Sequence, residues 1–184
     1  MEGNLFDFVR ATLAAADLRV TPANLAAALP ISDRSRAFLT TVGLPAAQVA
    51  PGLDFNLVET LPTPAQAFAG TGFRFGGAWQ HTRMLRVRHG AGMYLNPADG
   101  SVWHLVPDRV PETCLVNTSV ELLGYFLAES NRPFGPEVSW SRRDTVRGHF
   151  DAMVRRMRDA DPEALDPEGG NFWPLVIEDA GYYI

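Results

Sequence analysis

The sequence predicts an α+β fold, an antiparallel sheet of about four to six strands with helices packed on it. Three observations carry that reading. Alanine-rich amphipathic segments fill about residues 4–43; from Pro51 to Val110 the chain turns to Gly, Pro and β-formers; and helical periodicity returns after residue 117. These changes divide one expected domain, 1–184, into N-terminal helices (about 4–43), a strand block (about 51–117) and C-terminal helices (about 118–184).

In the first helical segment Leu5, Phe6, Phe8, Val9 and Leu13 recur close to the i, i+3, i+4 spacing of one helix face. The second is bounded by Thr21 as N-cap with Pro22 at the first helical position, and by Pro30. Ser32 caps a third, whose Phe38, Leu39 and Val42 share a face; Gly43 followed by Pro45 stops it. In the strand block, "DFNLVET", "FRFGGAW" and "TRMLRVRH" alternate as strands. "MYLN" and "SVWHLV" then form a hairpin about "NPADG", where Pro97 presets the turn and Gly100 takes a positive φ. "ETCLVN" adds a strand.

"VNTSVELLGYFLAESNR" follows, with Thr118 and Glu121 spaced as a capping box and Val120, Leu122, Leu123, Phe126 and Leu127 forming a wide apolar stripe to lie on the sheet. A later helix places Val146, Phe150, Met153, Val154 and Met157 on one face and its arginines mostly off it. The closing "NFWPLVIEDAGYYI" gathers Phe172, Trp173, Leu175, Val176 and Ile177 in a short docked helix.

Composition narrows the function classes. With 184 residues, 46% of them hydrophobic, the chain can bury a core without disulfides or metal. Cys114 lies in an apolar run and reads as a small buried hydrophobe. A net charge of −5 argues against non-specific attraction to nucleic acid or an anionic membrane. All 16 basic residues counted as Lys or Arg are Arg, which removes Schiff-base and Walker-lysine chemistry. Neither a signal peptide nor an apolar run of roughly 20 residues is present, so the expected location is cytoplasmic.

No catalytic or cofactor pattern emerges. His81, His89, His104 and His149 lack metal-ligand spacing. His104 alternates with Trp103, so one faces inward, and His149 is expected to cover the core edge. "GTGFRFGG" departs from the dinucleotide fingerprint because a strand-like "FRF" follows Gly72; its glycines read as turn residues. No cofactor is expected. Arg83, Arg86, Arg88 and His89 read as a solvated sheet face, with no direct binding of nucleic acid. Asp159, Asp161, Glu163, Asp166 and Glu168 form an acidic run without a compensating base. That run is either a solvated loop or a docking surface for a basic protein. Trp140, Trp173, Tyr182 and Tyr183 are its candidate anchors.

"RAFLTTVGLP" (36–45), "VRHGAGMYLNPADGSVWHL" (87–105) and "CLVNTSVELLGYFLAESNR" (114–132), in that order, resemble the SUKH superfamily, specifically its fourth immunity-protein subgroup. "FWPLVIED" is similar to that family's Trp-containing last helix, and Asn96 stands where an Asp is common. The resemblance implies a SUKH-like (Knr/Smi-type) fold and a non-enzymatic protein encoded beside a polymorphic bacterial toxin. It implies that the protein binds and blocks that cognate toxin domain, often a nuclease or nucleic-acid deaminase. It transfers no site residue. Two other readings stay open: a domain that senses a small molecule or peptide, and an enzyme whose site is assembled from distant residues.

Overall fold

The computed structural model describes residues 2–14, 17–29, 31–45, 48–50, 53–54, 61–65, 70–76, 92–96, 98–106, 112–134 and 143–181. Helix α1 (Glu2–Thr12) buries Val9, with Leu13 just past its end, and packs Leu5, Phe6 and Phe8 against the same core. Strand β1 (Leu18–Arg19) pairs antiparallel with β2 (Leu44–Pro45), bracketing α2 (Ala23–Ala27) and α3 (Asp33–Thr41). Ser32 caps α3 by accepting a hydrogen bond from Ser35 N at 3.0 Å. Gly43, at φ +79°, ends it, and its N–H donates to the Phe38 carbonyl at 2.9 Å.

The start of α2 departs from expectation. Its N-cap is Pro22, with no side-chain cap, while Thr21 is buried and its N–H donates to Leu39 O at 2.8 Å. That bond satisfies a C-terminal carbonyl of α3, and α2 begins one residue later than a Thr21 cap predicts.

After the short pair β3 (Gln48–Ala50) and β4 (Leu53–Asp54), five strands form an antiparallel meander: β5 (Leu61–Ala65), β6 (Gly70–Gly76), β7 (Gly92–Leu95), β8 (Val102–Val106) and β9 (Glu112–Asn117). Each pairs with the next in sequence, as the expected four to six strands allow. The hairpin about 96–101 forms as its residues predict: Gly100 has φ +78°, and Asn96 Oδ1 accepts from Ala98 N at 3.0 Å. β5 was not legible, because "LPTPA" carries Pro62 and Pro64. It is an edge strand, where missing N–H donors are tolerated. Gly70 and Gly72 lie within β6 rather than in turns, opposite Ala65 and Thr63. Most of "DFNLVET" and all of "TRMLRVRH" fall outside the described residues.

One sheet face carries Met93, Leu95, Val102 and Val116 into the core, with Cys114 packed against it. Against this face and the β9 edge lies α4 (Val120–Phe134); α5 (Arg143–Ala160) packs on α4 and on a 3-10 turn (Glu163–Leu165), and α6 (Phe172–Gly181) returns to β9. α4 is the hub. It contacts α1, α3 and α5 as well as β9, so its burial extends well beyond the sheet-facing stripe that its sequence suggests. α5 buries Val146, Phe150, Met153 and Met157 as expected, but His149 is exposed rather than at the core edge. On α6, Phe172 and Trp173 are buried, while Leu175 points away from the core at 56% exposure.

Candidate functional site

The acidic run begins where α5 ends. Exposed Arg147, Arg155 and Arg158 line the outer side of that helix, and Asp159, Glu163, Asp166 and Glu168 are exposed just beyond them. Asp161 is not with them: it is 2% exposed. Its carboxylate accepts from Asn117 Nδ2 at 3.1 Å, Thr118 N at 3.0 Å and Thr118 Oγ1 at 3.1 Å. Asn117 Oδ1 in turn accepts from the buried indole Nε1 of Trp173 at 3.0 Å. Sequence reading grouped five carboxylates. The fold leaves four facing solvent and spends the fifth on the β9–α4 junction.

That junction also replaces the expected capping box. Thr118 donates to Asp161, Glu121 accepts from Ser35 Oγ at 2.7 Å, and the first α4 turn closes from Leu123 N to Ser119 O at 3.1 Å. A carboxylate just past the end of α5 thus sits at the positive end of α4, where the helix dipole favours it and the Thr118 N–H donates to it. The signal was present in "NTS", three polar residues opening an apolar helix. Sequence spacing points to a local cap, because the partner lies 43 residues away.

The acidic segment itself is tightly built. Ala164 and Leu165 of the 3-10 turn are buried. Asn171 Nδ2 donates to Glu163 O at 2.7 Å and Asp166 O at 3.4 Å, and Asp166 Oδ1 accepts from Glu168 N at 3.0 Å. Of the candidate aromatic anchors, Trp173 is buried; Trp140, Tyr182 and Tyr183 lie outside the described residues.

Two further buried carboxylates brace the helices. Glu129 Oε2 accepts from Arg156 Nε at 2.9 Å and Nη2 at 2.7 Å, and Arg132 Nη1 lies 3.7 Å from Oε1. Burial, then the charge of Glu129 and a hydrogen bond to it, push the Tyr125 phenol up to about 12. The hydrogen bond to Glu129 also raises the Arg156 guanidinium above its usual range. Glu121 lies 3.6 Å from Arg34 Nε. All these partners belong to packed helices, which makes the pairs structural. His104 is likewise buried, its ring 5.4 Å from that of Phe172. Among the described residues, no three of His, Cys, Asp and Glu group as metal ligands, and no helix is long and apolar enough to cross a membrane.

The three sequence blocks that carry the resemblance thus meet in space, α3 packing on α4 and β9 pairing with the β7–β8 hairpin. A family model described as SUKH-4 immunity protein matches residues 7–179. The chain belongs to the SUKH-4 immunity protein family. No curated protein and no solved structure matches it. Membership supports an immunity function and hence a toxin as partner. Within this SUKH-4 chain, charge is segregated along the sequence. Residues 159–184 hold 7 carboxylates and no base, against 16 arginines and 14 carboxylates in residues 1–158. The net negative charge therefore comes entirely from the last segment.

Proposed function

We propose that this protein neutralises a cognate bacterial toxin by direct protein–protein contact, in the cytoplasm of the cell that makes both. The partner is a basic toxin domain, a nuclease or nucleic-acid deaminase, and Asp159, Glu163, Asp166 and Glu168 form the face it meets. Family membership across residues 7–179 carries the immunity part of this reading. Charge supports the rest: a protein that handles nucleic acid presents a positive groove, and exposed carboxylates from a segment that contains no arginine complement it. The mechanism is steric and electrostatic. A carboxylate face accelerates encounter with the groove, and occupying or covering it excludes the nucleic acid. No bond is made or broken, and no cofactor is required.

Calorimetric titration against the toxin domain encoded beside this gene, catalytically inactivated, tests the reading. Tight one-to-one binding is expected, together with loss of activity when active toxin and this protein are mixed. Absence of both would overturn it.

A further inference from the structure

While α5 turns Val146, Phe150, Met153 and Met157 to the core, Arg147, Asp151, Arg155 and Asp159 are exposed on it at four-residue spacing. Residues so spaced form one ridge across a helix, here basic, acidic, basic, acidic in order. Side chains at that spacing are close enough to pair. None of the four takes part in an ion pair among the described residues. Beside the ridge runs a row of Gly148, Ala152, Arg156 and Ala160, in which the one long side chain, Arg156, is held by Glu129 of α4. The ridge therefore borders a shallow groove. Gly148 has no use inside the chain: it is exposed in mid-helix, where glycine is less stable than alanine, and a Cβ there would meet nothing within 4 Å. What it provides is a low point at which another backbone can come close.

We propose that this face of α5 pairs with the same face of a second copy of the chain, antiparallel about a twofold axis near Met153. The order of charges selects that occupant. Reversing the ridge inverts its signs, so Arg147 of one copy meets Asp159 of the other and Asp151 meets Arg155, and the axis repeats both pairs. A partner of uniform charge would instead meet like charge at two of the four positions. Each ridge lies in the groove that Gly148 and Ala152 leave on the other helix, as in packing of ridges formed by every fourth residue. An isologous contact of this kind closes at the dimer. Exposed ion pairs contribute little singly, so the dimer is weak and salt-sensitive. Asp159 is drawn into it, whereas Glu163, Asp166 and Glu168 lie beyond the ridge.

Sedimentation equilibrium of the full-length protein, over a concentration series at low and high salt, tests this. A reversible monomer–dimer equilibrium is expected, with a dissociation constant that rises as salt is added. Arg155→Asp, which sets carboxylate against carboxylate, should raise that constant about tenfold. Asp151→Arg/Arg155→Asp keeps the net charge and restores opposite signs across the axis, so it should return the constant to within about threefold of the unsubstituted value. Gly148→Leu leaves every charge in place and fills the groove; it should weaken the dimer about tenfold as well. Arg19→Asp, the same change of charge at an exposed site on β1, should leave the dimer unaltered. Circular dichroism checks the fold of each variant, and if a charge variant does not fold, Gly148→Leu carries the test. A monomer at every concentration overturns the proposal. So does a dimer that Arg155→Asp or Gly148→Leu leaves intact, one that Arg19→Asp weakens equally, or one that the double change fails to restore. The dimer is measured without toxin, so its failure leaves the docking reading above untouched.

Discussion

Gly124 looks like a defect when read along the chain, a residue that costs about 1 kcal/mol relative to Ala in the middle of an apolar helix. The fold explains it. A Cβ there would stand 2.3 Å from Phe38 Cζ, and the Phe38 ring, 0% exposed, is also met edge-on by Phe6 at 5.3 Å. Gly124→Ala should therefore destabilise by about 1–3 kcal/mol, by forcing α3 and α4 apart, despite the better helix propensity. Denaturant titration reads the sign; a gain in stability would show that the ring moves freely. Beside it, Tyr125 predicts alkaline behaviour. Its folded pKa is pushed up to about 12, above the ordinary phenol value of about 10, so the folded state holds the proton more tightly. The resulting stabilisation is complete below about pH 10 and is lost as pH rises through the folded value. Comparing the stability of Tyr125→Phe and the unsubstituted protein from pH 8 to 12 (roughly the range in which a phenol ionises) should show a steeper alkaline loss in the latter.

At the scale of elements, α4 shows what burial on several sides demands. A helix contacting α1, α3, α5 and β9 cannot keep all its polar residues in water, and Glu121 and Glu129 are met by partners from α3 and α5 instead. The α4–α5 pair is asymmetric. The Arg156 side chain is 37% exposed while that of Glu129 is 2% exposed, so only the guanidinium can turn to solvent if its partner is lost. Arg156→Met, which strands a buried carboxylate with Arg132 at 3.7 Å as its remaining cation, should cost about 3 kcal/mol. Glu129→Leu should cost less, and the double variant should resemble Glu129→Leu. Equal costs for the two single changes would mean that Arg156 is as confined as its partner.

For the whole molecule, the segregation of charge matters more than its total. Residues 159–184 carry 7 acids and no base, in a chain whose net charge is −5. The acids that brace the interior lie mostly in the other part, paired with arginines: Glu121 with Arg34, Glu129 with Arg132 and Arg156. Neutralising Asp159, Glu163, Asp166 and Glu168 together should leave stability within about 0.5 kcal/mol, because all four are exposed. If the proposed docking holds, association with the toxin domain should slow about tenfold at low salt and lose most of its ionic-strength dependence. Stopped-flow mixing across a salt series checks both. A rate that stays salt-sensitive would place the electrostatic contact elsewhere.

Sequence alone determined the α+β class, the core faces of α1, α3 and α5, the Ser32 cap, the Gly43 stop and the β7–β8 hairpin. These follow from spacings and turn residues within one or two turns of chain, where local geometry decides the outcome. Only the tertiary structure decided which carboxylates would be buried. Asp161 looked like its exposed neighbours until Thr118, 43 residues away, was brought to it. Glu121 looked like a capping residue until Ser35, 86 residues away, claimed it. A buried charge requires a partner, and the chain can bring that partner from any distance; periodicity records which face is apolar but not what will meet the polar edge of that face.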